Sequence, residues 1–451
     1  MNDSLVIDIL GQQPMLTKLY TQISLCYGVS DESSYPTIVD RLTKGLEQLT
    51  KSFPWVAGKV DNGLIKPLHA QQTSLIVKDF RNNPSVLDMA TFRQSKFPMR
   101  FFDETLFAPC NTLAAMTMKP TDDAPVFLIQ VNYIKDGLIL TFNGNHQAMD
   151  MIGQGQLMSL LSKACHQQPF TEKEITEGNI SRNHRIPLLS DEEMKAAQQK
   201  DILSSSTETA TTTPPPSCQW ANFLFQQDAL NKLKSIATND LLENIKFIST
   251  DDAISAFIWQ SITKVRLPRL EREMQPGSTT ASTTSTFSRA VDIRRFFNLS
   301  STYPGMIQNM TYHTFTLQQI KDVPLGHLAS HLRLAVDNET TDLQYRSRQL
   351  ATLLTNAEDK SKISVTSNLD ASKDIMLSSW CKVDCYQMDF NLGLGQPEAV
   401  IRPHFTPVES LIYLLPKNVD GDIVVAICLR DEDMDQLKND IEFTKYAHYI
   451  G

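Results

Sequence analysis

The chain lacks any run of uncharged apolar residues approaching the roughly 18 that a membrane helix needs, so no membrane-spanning segment is expected. Its opening residues, MNDSLVIDILGQQP, have neither the basic n-region nor the long apolar core of a secretory leader. Basic charge is in deficit, with 42 Lys and Arg against 51 Asp and Glu and a net charge of −9. That balance argues against nucleic acid or an anionic membrane as the main partner, although a small anionic cosubstrate needs only a local basic patch. Cysteines are few and odd in number, seven, and most sit in apolar surroundings such as ISLCYG and VVAICLR. Reduced thiols in the cytosol fit this better than a disulfide framework. A Gly-x-Ser-x-Gly elbow, a Walker loop and a His-Glu-x-x-His pattern are all absent. His327 and His331 sit four apart on an expected helix, but no nearby cysteine or carboxylate completes a ligand set, so no metal is expected. Cys381 and Cys385 read as packed thiols. The expectation is a soluble cytoplasmic protein.

At 451 residues the chain exceeds one ordinary core, and two domains of roughly 200 residues each are expected. The boundary is SSSTETATTTPPPS (204–217), which has no apolar residue larger than alanine and ends in three prolines. It reads as an exposed linker between domains at 1–203 and 218–451. A second low-complexity stretch, 276–288, reads as a long surface loop. Before the linker, Ile38, Val39, Leu42, Leu46 and Leu49 recur at helical spacing, and PVFLIQVNYI and LILTFNGN read as strands joined at Lys135-Asp136-Gly137. After it, ANFLFQ, TYHTFTL, SLIYLLP and DIVVAICL read as strands, and 251–266 as a helix. The fold class is α/β with mixed sheets.

His146 follows the strand LILTFNGN, with Asp150 four residues later. An alcohol has a pKa near that of water, about 16, so it attacks a thioester at neutral pH only if a base removes its proton. Histidine, titrating near neutral pH, suits that role. The alternative makes His146 a strand-end residue and Asp150 the N-cap of the next helix. Arg294, in AVDIRRFF, is a candidate partner for a buried Asp150, since a guanidinium grips a carboxylate with two parallel hydrogen bonds. The other reading of Arg294 and Arg295 is a pair of surface arginines. MDFNLGLGQPE carries Asp389, Phe390 and Gly393. Pro397 stands where a phosphate-binding fingerprint needs a helix and a third glycine, so the segment reads as a structural loop.

The order His146-Gln-Ala-Met-Asp150, Val291-Asp292-Ile-Arg294, Asp389-Phe390-Asn-Leu-Gly393 resembles that of the BAHD acyltransferases, which use acyl-coenzyme A. That family's motifs are His-x-x-x-Asp and Asp-Phe-Gly-Trp-Gly. PMLTKLYTQISLCYGVSDESSYPTIV, FISTDDAISAFIWQS, TYPGMIQNMTYH, FTPVESLIYLLPK and ICLRDEDMDQLKND are similar to the fungal trichothecene 3-O-acetyltransferase group, and the likeness runs from about residue 10 to the end. The resemblance implies a two-domain fold like chloramphenicol acetyltransferase, with a solvent channel between the domains and a monomeric chain. It implies acetyl-coenzyme A as cosubstrate, entering from one face, and a small-molecule alcohol entering from the other. His146 would be the general base of a direct ternary-complex transfer. Asp150 would hold the loop through Arg294, and the Asp389 loop would shape the coenzyme side. The Ser378-Ser379-Trp380 segment and the Ser255 to Trp259 helix match parts of the family near the coenzyme channel. The implied acceptor is the C-3 hydroxyl of a trichothecene, in biosynthesis or self-protective detoxification. The same chemistry on another terpenoid, an alkaloid or an amine is the alternative, as is a non-catalytic coenzyme A-binding relative. Two departures stand out: Met151 replaces the wider family's usual glycine, and Asn391 and Leu392 replace the first glycine and the tryptophan of Asp-Phe-Gly-Trp-Gly. Asparagine is the residue best able to stand in for glycine at positive φ.

Overall fold

The computed structural model describes residues 5–31, 34–68, 74–119, 121–198, 216–275, 277–366 and 368–451. Most of the expected linker, 204–215, lies outside the described residues.

Two mixed sheets organise the chain. The first runs Ala399–Ile401, Tyr20–Gly28, Gly137–Asn145, Phe127–Ile134, Leu75–Asp79, with only the last pair parallel. Phe127–Ile134 and Gly137–Asn145 form a hairpin turned at Lys135 and Asp136, the latter at φ 57°. Both strands are buried along their whole length. One face packs on the helices Tyr35–Ser52 and Met151–Cys165, and the other meets a cluster that includes Phe92, Phe102 and Phe107. Polar members of these strands are satisfied locally: Asn132 Nδ2 donates to Phe107 O at 3.0 Å, and Asn143 Nδ2 to Cys110 O at 2.9 Å.

The second sheet runs Gln308–Thr316, Thr284–Asp292, Ile375–Ser379, Leu411–Leu414, Ile423–Arg430, Cys218–Phe225, His448–Tyr449. Ile375–Ser379 is parallel to both of its neighbours, while the other pairings are antiparallel. Helix Thr250–Glu273, started by a Ser249/Asp252 capping box, buries Ala253, Phe257, Trp259 and Ile262 on this sheet. It runs seven residues beyond the expected end at Arg266, past Pro268. Arg269, on that last stretch, is buried and donates to both oxygens of Asp433. This pairing helps hold the helix where proline removes a backbone donor.

The loop expected over 276–288 ends early, because Thr284–Asp292 is a strand. Its hydroxyls made it look loop-like in sequence, yet Ser285 Oγ donates to Lys373 O at 2.7 Å and Ser288 Oγ to Ile375 O at 3.0 Å. Buried hydroxyls with carbonyl partners are compatible with a central strand.

The stretch after Trp380 crosses from the second sheet to the first. Val383, Cys385, Met388, Phe390 and Leu392 join the core beneath the first sheet, and Ala399–Ile401 pairs antiparallel with Cys26 to Ser24. The turn that allows this holds Phe390 at φ 51°, Asn391 at 54° and Gly393 at 78°. The Phe390 ring is fully buried and stacks on Phe142 at 5.3 Å between centroids. Its positive φ is costly for a bulky side chain, and ring burial offsets the strain. We expect Phe390→Ala to destabilise the protein by about 3–5 kcal/mol, read as a lowered urea midpoint. An unchanged midpoint would show that the crossover adds no net stability.

Candidate active site

The strand Tyr20–Gly28 begins where its antiparallel neighbour Gly137–Asn145 ends, and there the chain turns sharply. His146 N donates to Leu19 O at 2.8 Å, and Ala148 N and Met149 N both donate to Asn145 O. This tight turn leaves the imidazole on a wall between the two sheets. Nδ1 lies 3.0 Å from Met149 O. A carbonyl can only accept, so Nδ1 carries the proton and Nε2 keeps its lone pair. Burial lowers the His146 pKa below the ordinary 6.5 and so favours the neutral ring.

Asp150 caps helix Met151–Cys165, accepting from Gly153 N at 2.8 Å. It does more than cap. Arg294 Nη1 and Nη2 donate to its two oxygens at 2.8 and 2.9 Å, and Ile307 N adds a bond of 2.9 Å. Four donors leave the carboxylate saturated, and none of them is His146. Arg294 is 1 % exposed, not a surface residue, and also bonds Tyr303 O, Gly305 O and Asp292. Burial alone would lower its pKa, but Asp150 and Asp292 more than offset that and hold it raised. A Cβ added at Gly153 would lie 2.4 Å from Pro304 O, so only glycine lets the helix start approach this loop. The structure therefore brings Asp150 and Arg294 together from opposite sheets, beside His146.

A second clamp on the loop was not read from sequence. Arg182 donates to Ala148 O and lies 3.4 Å from Asp8, with its guanidinium 4.4 Å from the Trp55 ring centroid. Asp8 also accepts from Tyr303 Oη at 2.6 Å and Met306 N at 3.1 Å. Burial pushes its carboxyl up, against the pull of Arg182. The only sequence signal was a lone acidic residue inside the apolar run LVIDIL; nothing local marked Arg182.

Two cavities abut here. One, of about 250 Å³, is lined by His146 and apolar groups from both sheets, including Leu16, Leu19, Phe405, Leu411 and five methionines, Met15, Met151, Met306, Met310 and Met376. The other, of about 270 Å³, is charged, lined by Asp251, Asp292, Arg289, Arg295, Arg333 and Lys382 among others. Met151, Ala290, Gln308, Ser378 and Trp380 line both, so the two share a wall. Ser378-Ser379-Trp380 thus lies at the junction, with Ser379 Oγ donating to Asp251 at 2.5 Å. Trp259 is instead buried against Phe287, and lines neither cavity.

Asp389, Phe390 and Gly393 lie elsewhere. Asp389 Oδ1 is 2.6 Å from His166 Nε2, at the far end of helix Met151–Cys165, and accepts from Asn391 N. None of the three lines either cavity. The His327/His331 helix packs His331 against Phe315, and among the described residues no group of three His, Cys, Asp or Glu could hold a metal. All seven cysteines are free. Among the described residues no helix is long and apolar enough to cross a membrane.

Two mixed sheets with a crossover strand and cavities meeting between them are the architecture of the BAHD acyltransferase fold. Residues 19–165 match the trichothecene 3-O-acetyltransferase-like N-terminal domain, and residues 105–444 match the Transferase family. The chain belongs to that transferase family and to its trichothecene 3-O-acetyltransferase-like group. It is 48% identical to trichothecene 3-O-acetyltransferase TRI101 of Fusarium sporotrichioides, over 99% of this chain and 97% of that protein. It is 41% identical to a trichothecene 3-O-acetyltransferase of Saccharomyces cerevisiae, over 100% and 96%. The crystal structure of F. graminearum TRI101 complexed with coenzyme A and deoxynivalenol superposes with a TM-score of 0.90 at 44% identity, covering 100% of both chains. Vinorine synthase, at 14% identity and a TM-score of 0.69 over 99% and 94%, shares the fold.

Removing one partner of the buried pair leaves a charge without compensation. Arg294→Leu should therefore destabilise the protein by about 3–5 kcal/mol in chemical denaturation. A loss under about 1 kcal/mol would mean that Asp150 finds another partner or leaves the interior.

Proposed function

We propose that the protein is an acetyl-coenzyme A-dependent O-acetyltransferase for a hydroxyl of a fungal secondary metabolite, and that the C-3 hydroxyl of a trichothecene is its acceptor. The observation that carries this is His146 itself: Nδ1 committed to Met149 O, Nε2 left with its lone pair, on the apolar cavity beside the charged one. Crystal structures of F. graminearum TRI101 complexed with coenzyme A and T-2 mycotoxin or deoxynivalenol support the donor and acceptor.

In this reading the acceptor fills the apolar cavity and its hydroxyl points at Nε2. Oxygen attacks the thioester carbonyl as Nε2 takes the proton. The tetrahedral intermediate collapses, the carbon–sulfur bond breaks, and the imidazolium returns the proton to the leaving thiolate. The products are an acetyl ester and free coenzyme A, with no acyl-enzyme. Asp150 and Arg294 position the loop without touching substrate. The coenzyme lies on the charged side, where Lys382, Arg295 and Arg333 offer cations for its phosphates. The Asp389 loop acts through the core beneath the first sheet, supported by the Phe390–Phe142 stack. We read the chain as two lobes, 1–203 and 218–451, the second lending one strand to the first, and as a cytoplasmic monomer. The role would be biosynthetic or self-protective acetylation.

Thiol release from acetyl-coenzyme A, with and without a trichothecene bearing a free 3-hydroxyl, tests the activity. His146→Ala should lower kcat by roughly 10²–10⁴-fold; release that persists in this variant would sink the mechanism. The pH dependence follows from burial. A base whose pKa is lowered stays neutral to more acidic pH, so the acid limb of kcat/KM should lie below 6.5, with activity lost as pH falls through it. A limb above 7 would contradict the buried, neutral imidazole.

A further inference from the structure

The cavity lined by His146 also holds a charge that nothing described so far employs. Arg402 follows the crossover strand Ala399–Ile401 and lines the same cavity. It is 1 % exposed, yet among the described residues no carboxylate lies within ion-pair distance of it. Its polar contacts are long: Nη1 and Nη2 each reach Thr112 Oγ1 at 3.4 Å, and Nη1 reaches Pro403 O at 3.3 Å. Nε has no hydrogen-bond partner. Aromatic rings hold the group instead, with the guanidinium carbon 3.8 Å from the Phe405 centroid, 4.6 Å from Tyr413 and 5.8 Å from Trp380. Glu104, which accepts from Thr112 N at 2.6 Å, attracts Arg402 from beyond ion-pair distance, but burial outweighs that attraction and pushes its carboxyl up, toward the neutral form. Arg269 and Arg294, equally buried, each grip a carboxylate with two nitrogens. Arg402 does not.

A buried cation without a direct ion pair is destabilising, because ring faces and a distant carboxyl replace only part of its lost hydration. Such a group is retained where negative charge develops transiently, and here that happens when an alcohol gives up its proton. We propose that Arg402 is a positioning residue for the transfer, its charge, held on the cavity without a direct ion pair, biasing His146 toward the neutral, proton-accepting ring and favouring negative charge on the acceptor oxygen.

The charged and titratable groups on the elements around His146 divide cleanly. Asp150 is consumed by Arg294, and Asp8 by Arg182 and Tyr303. Tyr20, on the neighbouring strand, donates its phenol to Pro125 O at 2.9 Å. Tyr413 and Arg402 line the same cavity, and Glu104 is bonded to Thr112, which also lines it. Of these, Asp150 raises the His146 pKa and Arg402 lowers it, both less than burial does.

The test is an NMR titration of the His146 ring, assigned by its loss in His146→Ala, in the full-length wild type, Arg402→Met and Arg402→Lys. We expect the midpoint to rise by roughly half to one pH unit in Arg402→Met and to stay near wild type in Arg402→Lys. The acid limb of kcat/KM should move the same way. A midpoint unmoved in Arg402→Met, or raised equally by both substitutions, would overturn the proposal and leave Arg402 as packing. Arg402→Gln supplies the uncharged side chain should Arg402→Met not fold. The catalytic half rests on the acetyl-transfer reading, but the titration does not. Absence of acceptor-dependent thiol release in the wild type overturns that reading, whereas an unmoved midpoint overturns this one.

Discussion

The site depends on one buried ion pair. Asp150 starts a helix on the first sheet, and Arg294 follows a strand of the second. Each is almost completely buried, and their two parallel bonds of 2.8 and 2.9 Å cross the boundary between the sheets. Desolvating such a pair costs several kcal/mol per ion, so the pair adds little to stability by itself. What it does is fix geometry. The remaining donors and acceptors on both residues engage Gly153, Tyr303, Gly305 and Ile307, so the carboxylate binds the helix start, the Tyr303 to Ile307 loop and the guanidinium at once. Replacing it by apolar side chains of equal volume could fill the space but would release that loop.

The pair also determines what His146 is free to do. In a Ser-His-Asp arrangement the carboxylate bonds the imidazole and stabilises its charged form. Here Asp150 is spent on Arg294 and backbone amides, and a backbone carbonyl orients the ring in its place. A carbonyl fixes the tautomer without contributing a full negative charge. The imidazole is held rigidly, yet burial can still depress its pKa. Orientation and basicity are thus set by different groups.

How much of this was legible in the sequence depends on range. The hairpin over 127–145 and the helix over 35–52 follow from local periodicity, which the core later uses directly. Asp150 as an N-cap was equally local, and pairing it with Arg294 needed the chemical argument that a buried carboxylate must find a cation. Ser285 and Ser288 misled because their hydroxyls read as solvent-facing, whereas carbonyls 88 and 87 residues away in sequence accept from them. Asp8, Arg182 and Arg402 each meet at least one partner more than a hundred residues away, and no spacing rule reaches that far. The crossover was illegible for the same reason: AVI is a three-residue strand whose partner lies near the start of the chain.

The two cavities divide the chemical demands of an acyl transfer. Ionic groups crowd one side, while methionines and rings line most of the other, around His146 and Arg402. A low-dielectric wall strengthens any charge placed in it, so the proton transfer we propose from an alcohol to His146 would change the local energy on that side more than in water. Methionine side chains, with three rotatable bonds, can refill that wall around differently shaped ring systems without disturbing the backbone. The elements that orient His146 are main-chain carbonyls, amides and a saturated carboxylate, none of them part of the methionine wall. Acceptor shape and base geometry are therefore separable, and changing the first leaves the second intact.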